Sequence, residues 1–331
     1  MGRYFNYNFK MKKFLVFISL IVSASISFAW EPTKPVTTVI GFAPGSGNEL
    51  SFRGFSSLIE KANPRINFIV ENKPGGDGMI GMNHFVKLPN DGYHIYVASH
   101  QGIWVTADYA NPENKKYTLD DFEYGLTLAK SPLAIIAHES SPTNTPKEFM
   151  DRMRNPTAPI NIAAGSGAHK LAYEYLMYHV KGNRTLIKTI PYKGPAQAGQ
   201  DVAGGHLEFG IIPVAVANTL VKSGKVKIIA ITSEYQLEGL KNVPLMKDYV
   251  PGMNVYAAWG ILFPKGTDQN VIDWYVTNFK AAINSSEGKQ FIKDNLMFAE
   301  VKEQNPAGFK ASMMALRKQW IPIINEVGWN N

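Results

Sequence analysis

Hydrophobic positions in this chain follow two rhythms in turn. Short runs rich in β-branched residues empty into small glycine-rich turns, and the turns lead into stretches with helical spacing. Val36–Gly41 reads as a strand, and Glu49 to about Ala62 as a helix with Leu50, Phe55, Leu58 and Ile59 on one stripe. Asn67–Glu71 is a strand, Lys73–Gly78 a turn, Met79–Lys87 a helix and Tyr93–Ser99 a strand. That β-α-β-α-β order predicts a parallel sheet with right-handed crossovers. A loop rich in Pro, Asn and charge runs from Asp108 to Asp121. The apolar stretch Tyr124–His138, broken by Pro132, reads as a strand crossing between two lobes.

A second α/β unit follows. Thr145 fits a helix N-cap, with Pro146 at the first helical position and Glu148 completing a capping box, so a helix runs to about Arg154. Strands are expected at Ile160–Ile162, Thr185–Ile190, Leu207–Ile212 and Ile228–Thr232. Helices are expected at Lys170–Val180, Gln197–Gly204 and Val214–Ser223. Tyr256–Phe263 returns as an apolar strand, and helices at Asp268–Asn284, Ser286–Asn295 and Pro306–Val327 close the chain. Two long apolar strands make a double crossing. The expected fold is α/β and two-lobed, each lobe a mainly parallel sheet flanked by helices. Lobe 1 is discontinuous, 30–132 with 256–331, and lobe 2 is 133–255.

Three of the turns share one chemistry. Gly41–Gly47, Ala163–Gly167 and Tyr192–Pro195 each follow a strand and open a helix. Each directs unpaired backbone N–H groups and a helix N-terminus to one spot, an anion site that needs neither metal nor cofactor. Sites of this kind lie outside the carboxyl ends of strands in open α/β sheets. No residue in these turns pairs a nucleophile with a base. Lys170 and Lys193 lie beside the second and third turns and could add charge contact. His100 and His169 follow strand ends, where ligands sit. Ser46 and Ser166 read as ligand-binding hydroxyls or plain turn residues. Glu49 is either a first-turn acid matched to the helix dipole or a selector of ligand polarity. Trp104 and Trp259 read as core or hinge residues, or else as ligand platforms that would favour a flat or apolar ligand body.

Other motifs have plainer accounts. Gly76-x-Gly78-x-x-Gly81 matches a dinucleotide fingerprint in form, but the next strand ends Val97-Ala-Ser-His100 without the acid that a ribose needs. Gly41–Gly47 lacks the Gly-Lys-Ser/Thr ending of a P-loop. The seven histidines show no i, i+4 pair, and there is no cysteine for thiol chemistry or a metal site. No cofactor and no metal are expected.

Export changes the charge. Lys10, Lys12 and Lys13 precede the apolar run Phe14–Ile26, and Ser27-Phe28-Ala29 suits a cleavage site, so residues 1–29 read as a signal peptide. Met11 suits the natural start. The run is shorter than the ~20 residues a spanning helix needs. The 331 residues carry a formal +7. Losing four basic residues and no acid with the leader leaves 30 basic against 27 acidic residues, a net +3. With no basic run, nucleic acid is not an expected partner.

Several segments, taken together, carry a resemblance. Phe42-Ala-Pro-Gly-Ser-Gly-Asn-Glu49 resembles the Phe-x-Pro-Gly-Gly-x-x-Asp loop of the tripartite tricarboxylate transporter substrate-binding proteins, the Bug/TctC family. Val70-Glu-Asn-Lys-Pro-Gly-Gly-Asp-Gly-Met-Ile-Gly81 is similar to its Val-Glu-Asn-Arg-Pro-Gly-Ala-Gly-Gly-x-x-Gly. Pro89-Asn-Asp-Gly-Tyr93, Pro191-Tyr-Lys-Gly194 with Gly204-Gly205, Ala230–Ser233, Val243-Pro244 and Trp259–Gly266 continue it in order. The resemblance implies a monomeric type II periplasmic binding protein that closes like a flytrap on a small organic carboxylate. It would deliver that solute to the large and small membrane subunits of a tripartite transporter. Carried over, the first and third loops, Phe42, Ala43, Gly45, Ser46, Gly47, Asn48 and Glu49 with Tyr192, Lys193, Gly194, Pro195 and Ala196, grip one carboxylate. The second, Ser166, Gly167, Ala168, His169 and Lys170, holds the ligand from the other lobe. Ser46, Glu49, Lys170, Ile212 and Pro213 depart from the family's usual residues, making one wall more apolar and another more cationic. A sensory receptor for a membrane kinase or chemoreceptor is an alternative end use, and a periplasmic hydrolase on the same scaffold a further one.

Overall fold

The structure is a computed structural model that describes residues 30–109, 112–164, 167–192 and 194–327. The expected leader 1–29, Ser166 and Lys193 lie outside the described residues. From Pro32 onward the chain forms one compact unit.

Strand β1 (Val36–Ile40) is flanked in parallel by β2 (Phe68–Asn72) and β3 (His94–Ser99), with Thr38 opposite Val70 on one side and Ile95 on the other. Its Val-Thr-Thr-Val-Ile sequence is buried almost throughout, as suits a strand covered on both faces. Helix α1 (Gly47–Ala62) covers this sheet through Phe52, Phe55 and Ile59; the Phe52 ring meets Phe68 at 5.5 Å and Phe279 at 5.6 Å. Leu50, expected on that stripe, is 38% exposed. Leu50 and Leu58 instead flank a shallow depression beside Phe291, because the buried face is set by Phe52. Helix α2 (Met79–Phe85) lies between β2 and β3 in sequence.

Strand β4 (Phe122–His138) carries the chain from one sheet into the next. Residues Phe122–Pro132 pair antiparallel with β9 (Tyr256–Pro264), which is itself antiparallel to β3. Residues from Leu133 on pair antiparallel with β7 (Phe209–Pro213) and β8 (Val226–Ile231). Pro132 stands where the partners change, so its missing N–H interrupts no ladder in mid-course. At that point the Leu133 N–H donates to Thr232 Oγ1 at 2.9 Å.

In the second sheet β5 (Ile160–Ala164) lies parallel between β6 (Ile187–Pro191) and β7. Its helices are α3 (Pro146–Arg154), α4 (Gly167–Val180), α5 (Pro195–Ala203) and α6 (Val214–Lys222). Thr145 caps α3 in a full capping box: its hydroxyl accepts from Glu148 N at 3.2 Å, and Glu148 accepts from Thr145 N at 3.0 Å. The strand order is β2-β1-β3-β9-β4-β7-β5-β6, with β8 beside β4. Helices α7 (Gln269–Asn284), α8 (Ser286–Asp294) and α9 (Pro306–Val327) complete the chain. Short helical turns at Ala107–Tyr109 and Pro112–Asn114 interrupt the expected 108–121 loop. Among the described residues no helix is long and apolar enough to cross a membrane.

Candidate functional site

Strand directions decide where the three glycine-rich turns point. The first half of β4 runs in the same sense as β1–β3, because β9 is antiparallel to both β3 and β4. The second half of β4 is antiparallel to β7, and β5 and β6 run with β7. The carboxyl ends of β1–β3 therefore point toward the second sheet, and those of β5–β7 toward the first. One direct contact closes the distance. The backbone N–H of Gly167, first residue of α4, donates to Asp77 Oδ2 in the β2–α2 turn at 2.9 Å.

The first turn is held rigid by its own side chains. Ser46 caps α1, its Oγ accepting from Glu49 N at 3.4 Å. Glu49, only 7% exposed, turns its carboxylate back into the loop, where it accepts from Gly45 N at 3.2 Å and Asn72 Nδ2 at 3.3 Å. Arg53 Nε donates to its other oxygen at 2.6 Å. Asn72 Nδ2 also donates to Phe42 O at 2.9 Å, and Asn48 Nδ2 to Val97 O at 3.1 Å. Gly45 takes φ 78°, a left-handed position that glycine fills without strain. Gly47 lies against Trp259: a Cβ there would stand 2.2 Å from the indole. Phe42 is buried and Ala43 half-buried. The Trp259 side chain is thus the floor beneath the first turn.

The second turn opens α4. Gly167, Ala168 and His169 are buried, and burial pushes the His169 imidazole down to about 3, so it is neutral at ordinary pH. Lys170 is half-buried. Burial lowers its pKa, with Glu174 acting in opposition. The third turn begins with Tyr192, whose N–H donates to Ala164 O at 3.0 Å and whose hydroxyl donates to Asp201 Oδ2 at 2.6 Å. Burial and that bond raise the Tyr192 phenol to about 12. Gly194 has extended backbone, and among the described residues no atom beyond its own chain neighbours lies within 4 Å of where a Cβ would stand, so the third turn borders open space. Pro195 starts α5 where its missing N–H costs nothing, and Ala196 is exposed.

His100 is placed differently from the turns. It is fully buried, stacked on Phe309 of α9 at 4.7 Å, and neither ring nitrogen has a hydrogen-bond partner among the described residues. Burial, with Lys130 adding to it, lowers its pKa to about 3. Trp104 is buried as well. The glycines of the 76–81 fingerprint serve close packing. Gly76 and Gly78 take φ 57° and 96°, and a Cβ on Gly81 would meet Gly41 Cα at 2.9 Å.

Asn72, Arg53 and Asp77 were not evident as site residues from sequence. Asn72 was findable as the last residue of β2, paired in register with Ile40 at the mouth of the first turn. Asp77 had a signal too: it is an acid set among glycines at a turn that needs left-handed backbone. Among the described residues no group of three His, Asp or Glu side chains could hold a metal ion.

Two α/β sheets joined by crossing strands, with helix-opening turns facing each other, define the architecture of a periplasmic binding protein. The chain belongs to the tripartite tricarboxylate transporter family receptors: that family's model, TctC, matches residues 62–329. It is 25% identical over 262 residues to a Cupriavidus necator protein designated UPF0065 protein in gbd 5'region, covering 76% of each chain. The solved periplasmic binding protein BugD is 27% identical with a TM-score of 0.80, over 90% of this chain and 99% of BugD. MatC from Rhodopseudomonas palustris, solved with bound malate, is 20% identical with a TM-score of 0.80, over 89% of this chain and all of MatC, a likeness of fold.

Proposed function

We propose that this chain is an exported receptor that captures a small organic carboxylate between its two halves and passes it to the large and small membrane subunits of a tripartite transporter. The observation that carries this reading is the opposed direction of the two sets of strand ends, with the first N–H of α4 bonded to Asp77 of the β2–α2 turn. Family membership, and the malate bound by MatC, favour an organic acid as the ligand class. In this reading the lobes are 30–132 with 256–331, and 133–255, hinged at Pro132 and the start of β9. Residues 1–29 are the cleaved leader that takes a monomeric protein to the periplasm.

The chemistry is binding without reaction. Backbone N–H groups of the first and third turns hold the carboxylate, while Glu49 and Asn72 fix the shape of the first turn. A micromolar Kd requires about 8 kcal/mol. Hydrogen bonds to a charged group supply about 1.5–3 kcal/mol each and a helix terminus about 0.3–2 kcal/mol, so a few such contacts suffice after ordering costs.

Titration calorimetry against a broad carboxylate panel tests this; micromolar or tighter binding of at least one acid is expected, and none at all would sink the reading. Gly194→Asp is the informative variant, because its side chain has room. It places a negative charge in the third turn and should abolish binding. Gly47→Asp should do the same, but there the new side chain also strikes Trp259. A neighbouring gene pair for large and small membrane subunits would favour transport over sensing.

A further inference from the structure

The second helix N-terminus already has an anion, and the chain supplies it. Asp77 and Gly167 are 90 residues apart and belong to opposite sheets, yet Asp77 Oδ2 accepts from Gly167 N at 2.9 Å. Gly167 opens a helix of 14 residues, long enough for its N-terminus to carry an appreciable positive field. Asp77 is held there firmly. It adopts φ 54°, ψ 38° between Gly76 and Gly78, both also at positive φ, a conformation that an L residue adopts only at some cost. Tyr96 OH donates to Gly78 O at 2.8 Å and ties the turn to β3. On the other side Gly102 presses against it so closely that a Cβ would stand 2.2 Å from Asp77 O. The turn is thus wedged between β3 and the segment after it, with its carboxylate aimed at the start of α4.

Resting on the carboxylate-receptor reading above, we infer that Asp77 is a specificity-determining residue: it occupies the α4 N-terminus in place of a ligand carboxylate and restricts the receptor to organic acids with a single carboxylate. A second carboxylate brought to α4 would meet a like charge instead of an open helix terminus. A ligand of this receptor therefore places its one acid group at the first and third turns and turns an apolar, hydroxyl or amine end toward Asp77. The same bond joins residues of the two sheets.

The test compares the native chain with Asp77→Gly, which suits the left-handed backbone, and Asp77→Asn, which keeps the shape and removes the charge. Calorimetry is run with straight-chain monocarboxylates and their α,ω-diacids of equal length. The native protein should prefer the monoacids, and Asp77→Gly should shift the diacid-to-monoacid affinity ratio by about tenfold or more toward the diacid. An unchanged ratio would overturn the inference. A second arm needs no ligand: because the chain has no cysteine, nitroxide labels go cleanly onto Lys61→Cys and Lys188→Cys, exposed positions in opposite halves. Asp77→Gly should lengthen or broaden the distance distribution, and identical distributions would overturn the inference as well. If no acid of either series binds any of the three proteins, the carboxylate reading falls, and the label distances alone decide whether Asp77 bridges the halves.

Discussion

One charge buried in the core is an ammonium with two carboxylate partners. Lys130 lies in mid-β4 with its side chain 1% exposed, and its Nζ donates to Glu303 at 2.5 Å and Glu300 at 2.9 Å while standing 4.6 Å from the Tyr256 ring centroid. Burial alone would lower its pKa, but Tyr256 and the two carboxylates outweigh it and hold the group above its ordinary value. Its stabilising contribution is therefore complete below about pH 10.5 and is lost as pH rises through the folded value. Lys130→Ala leaves Glu303 buried without its cation and should cost about 3–5 kcal/mol by urea unfolding; a Lys130→Met, Glu303→Leu double variant should recover part of that loss. The buried histidines act at the other end of the pH scale. His100 and His169 have pKa values lowered from 6.5 to about 3, so the unfolded chain takes up protons there that the folded one refuses. Stability is full above pH 6.5 and should fall by about 1.4 kcal/mol per histidine for each pH unit below it, down to about pH 3. Denaturation midpoints between pH 7 and about pH 5 check this, and His100→Phe should flatten the slope by about half. None of these partnerships was legible in sequence. Lys130 stands in an apolar run, its carboxylates lie 170 and 173 positions away, and nothing local marks His100 as a core ring beneath Phe309.

Elements were far more legible than residue partners, because local rules govern them. The capping box of α3 was written in Thr145, Pro146 and Glu148, and each atom falls where that motif requires. Thr145→Ala should cost about 0.5–2 kcal/mol, measured as a shift in the urea midpoint, with ligand affinity unchanged. The crossing strand could be read from its length and its Pro132, which coincides with the change of partner strands. The anion turns were legible as glycine-rich strand-to-helix junctions; what closes them was not. Asn72 reaches the first turn only because β2 lies beside β1, and Asp77 reaches α4 only because the second sheet runs back toward the first. Helix α4 begins at Gly167, at the junction where the glycine-rich turn was expected to open it, and its first N–H has a carboxylate to bond. The face of α1 differs from the expected stripe for a similar reason. Phe52 finds Phe68 and Phe279, a pairing from distant segments that periodicity alone does not contain.

For the whole molecule, the two sheets share more than the crossing strands. Helix α9 straps them together on another side: its Phe309 packs on His100 and on Tyr124 at 5.5 Å, next to the first sheet, while its Trp320 meets Tyr175 of α4 at 5.1 Å. Tyr175 OH in turn donates to Pro251 O at 2.7 Å, in the segment leading to β9. The strap is buried at both ends, Phe309 at 0% and Trp320 at 2% exposure. With it intact, the halves should unfold together, and far-UV circular dichroism and tryptophan fluorescence should report one urea transition. Trp320→Ala removes the anchor on the second half. It should lower stability by about 3–5 kcal/mol, the range for losing a buried tryptophan. The more telling outcome is the shape of the curve. Loss of that anchor should separate the two signals into distinct transitions, whereas a uniform shift of a single transition would mean that the remaining contacts between the sheets keep the molecule cooperative.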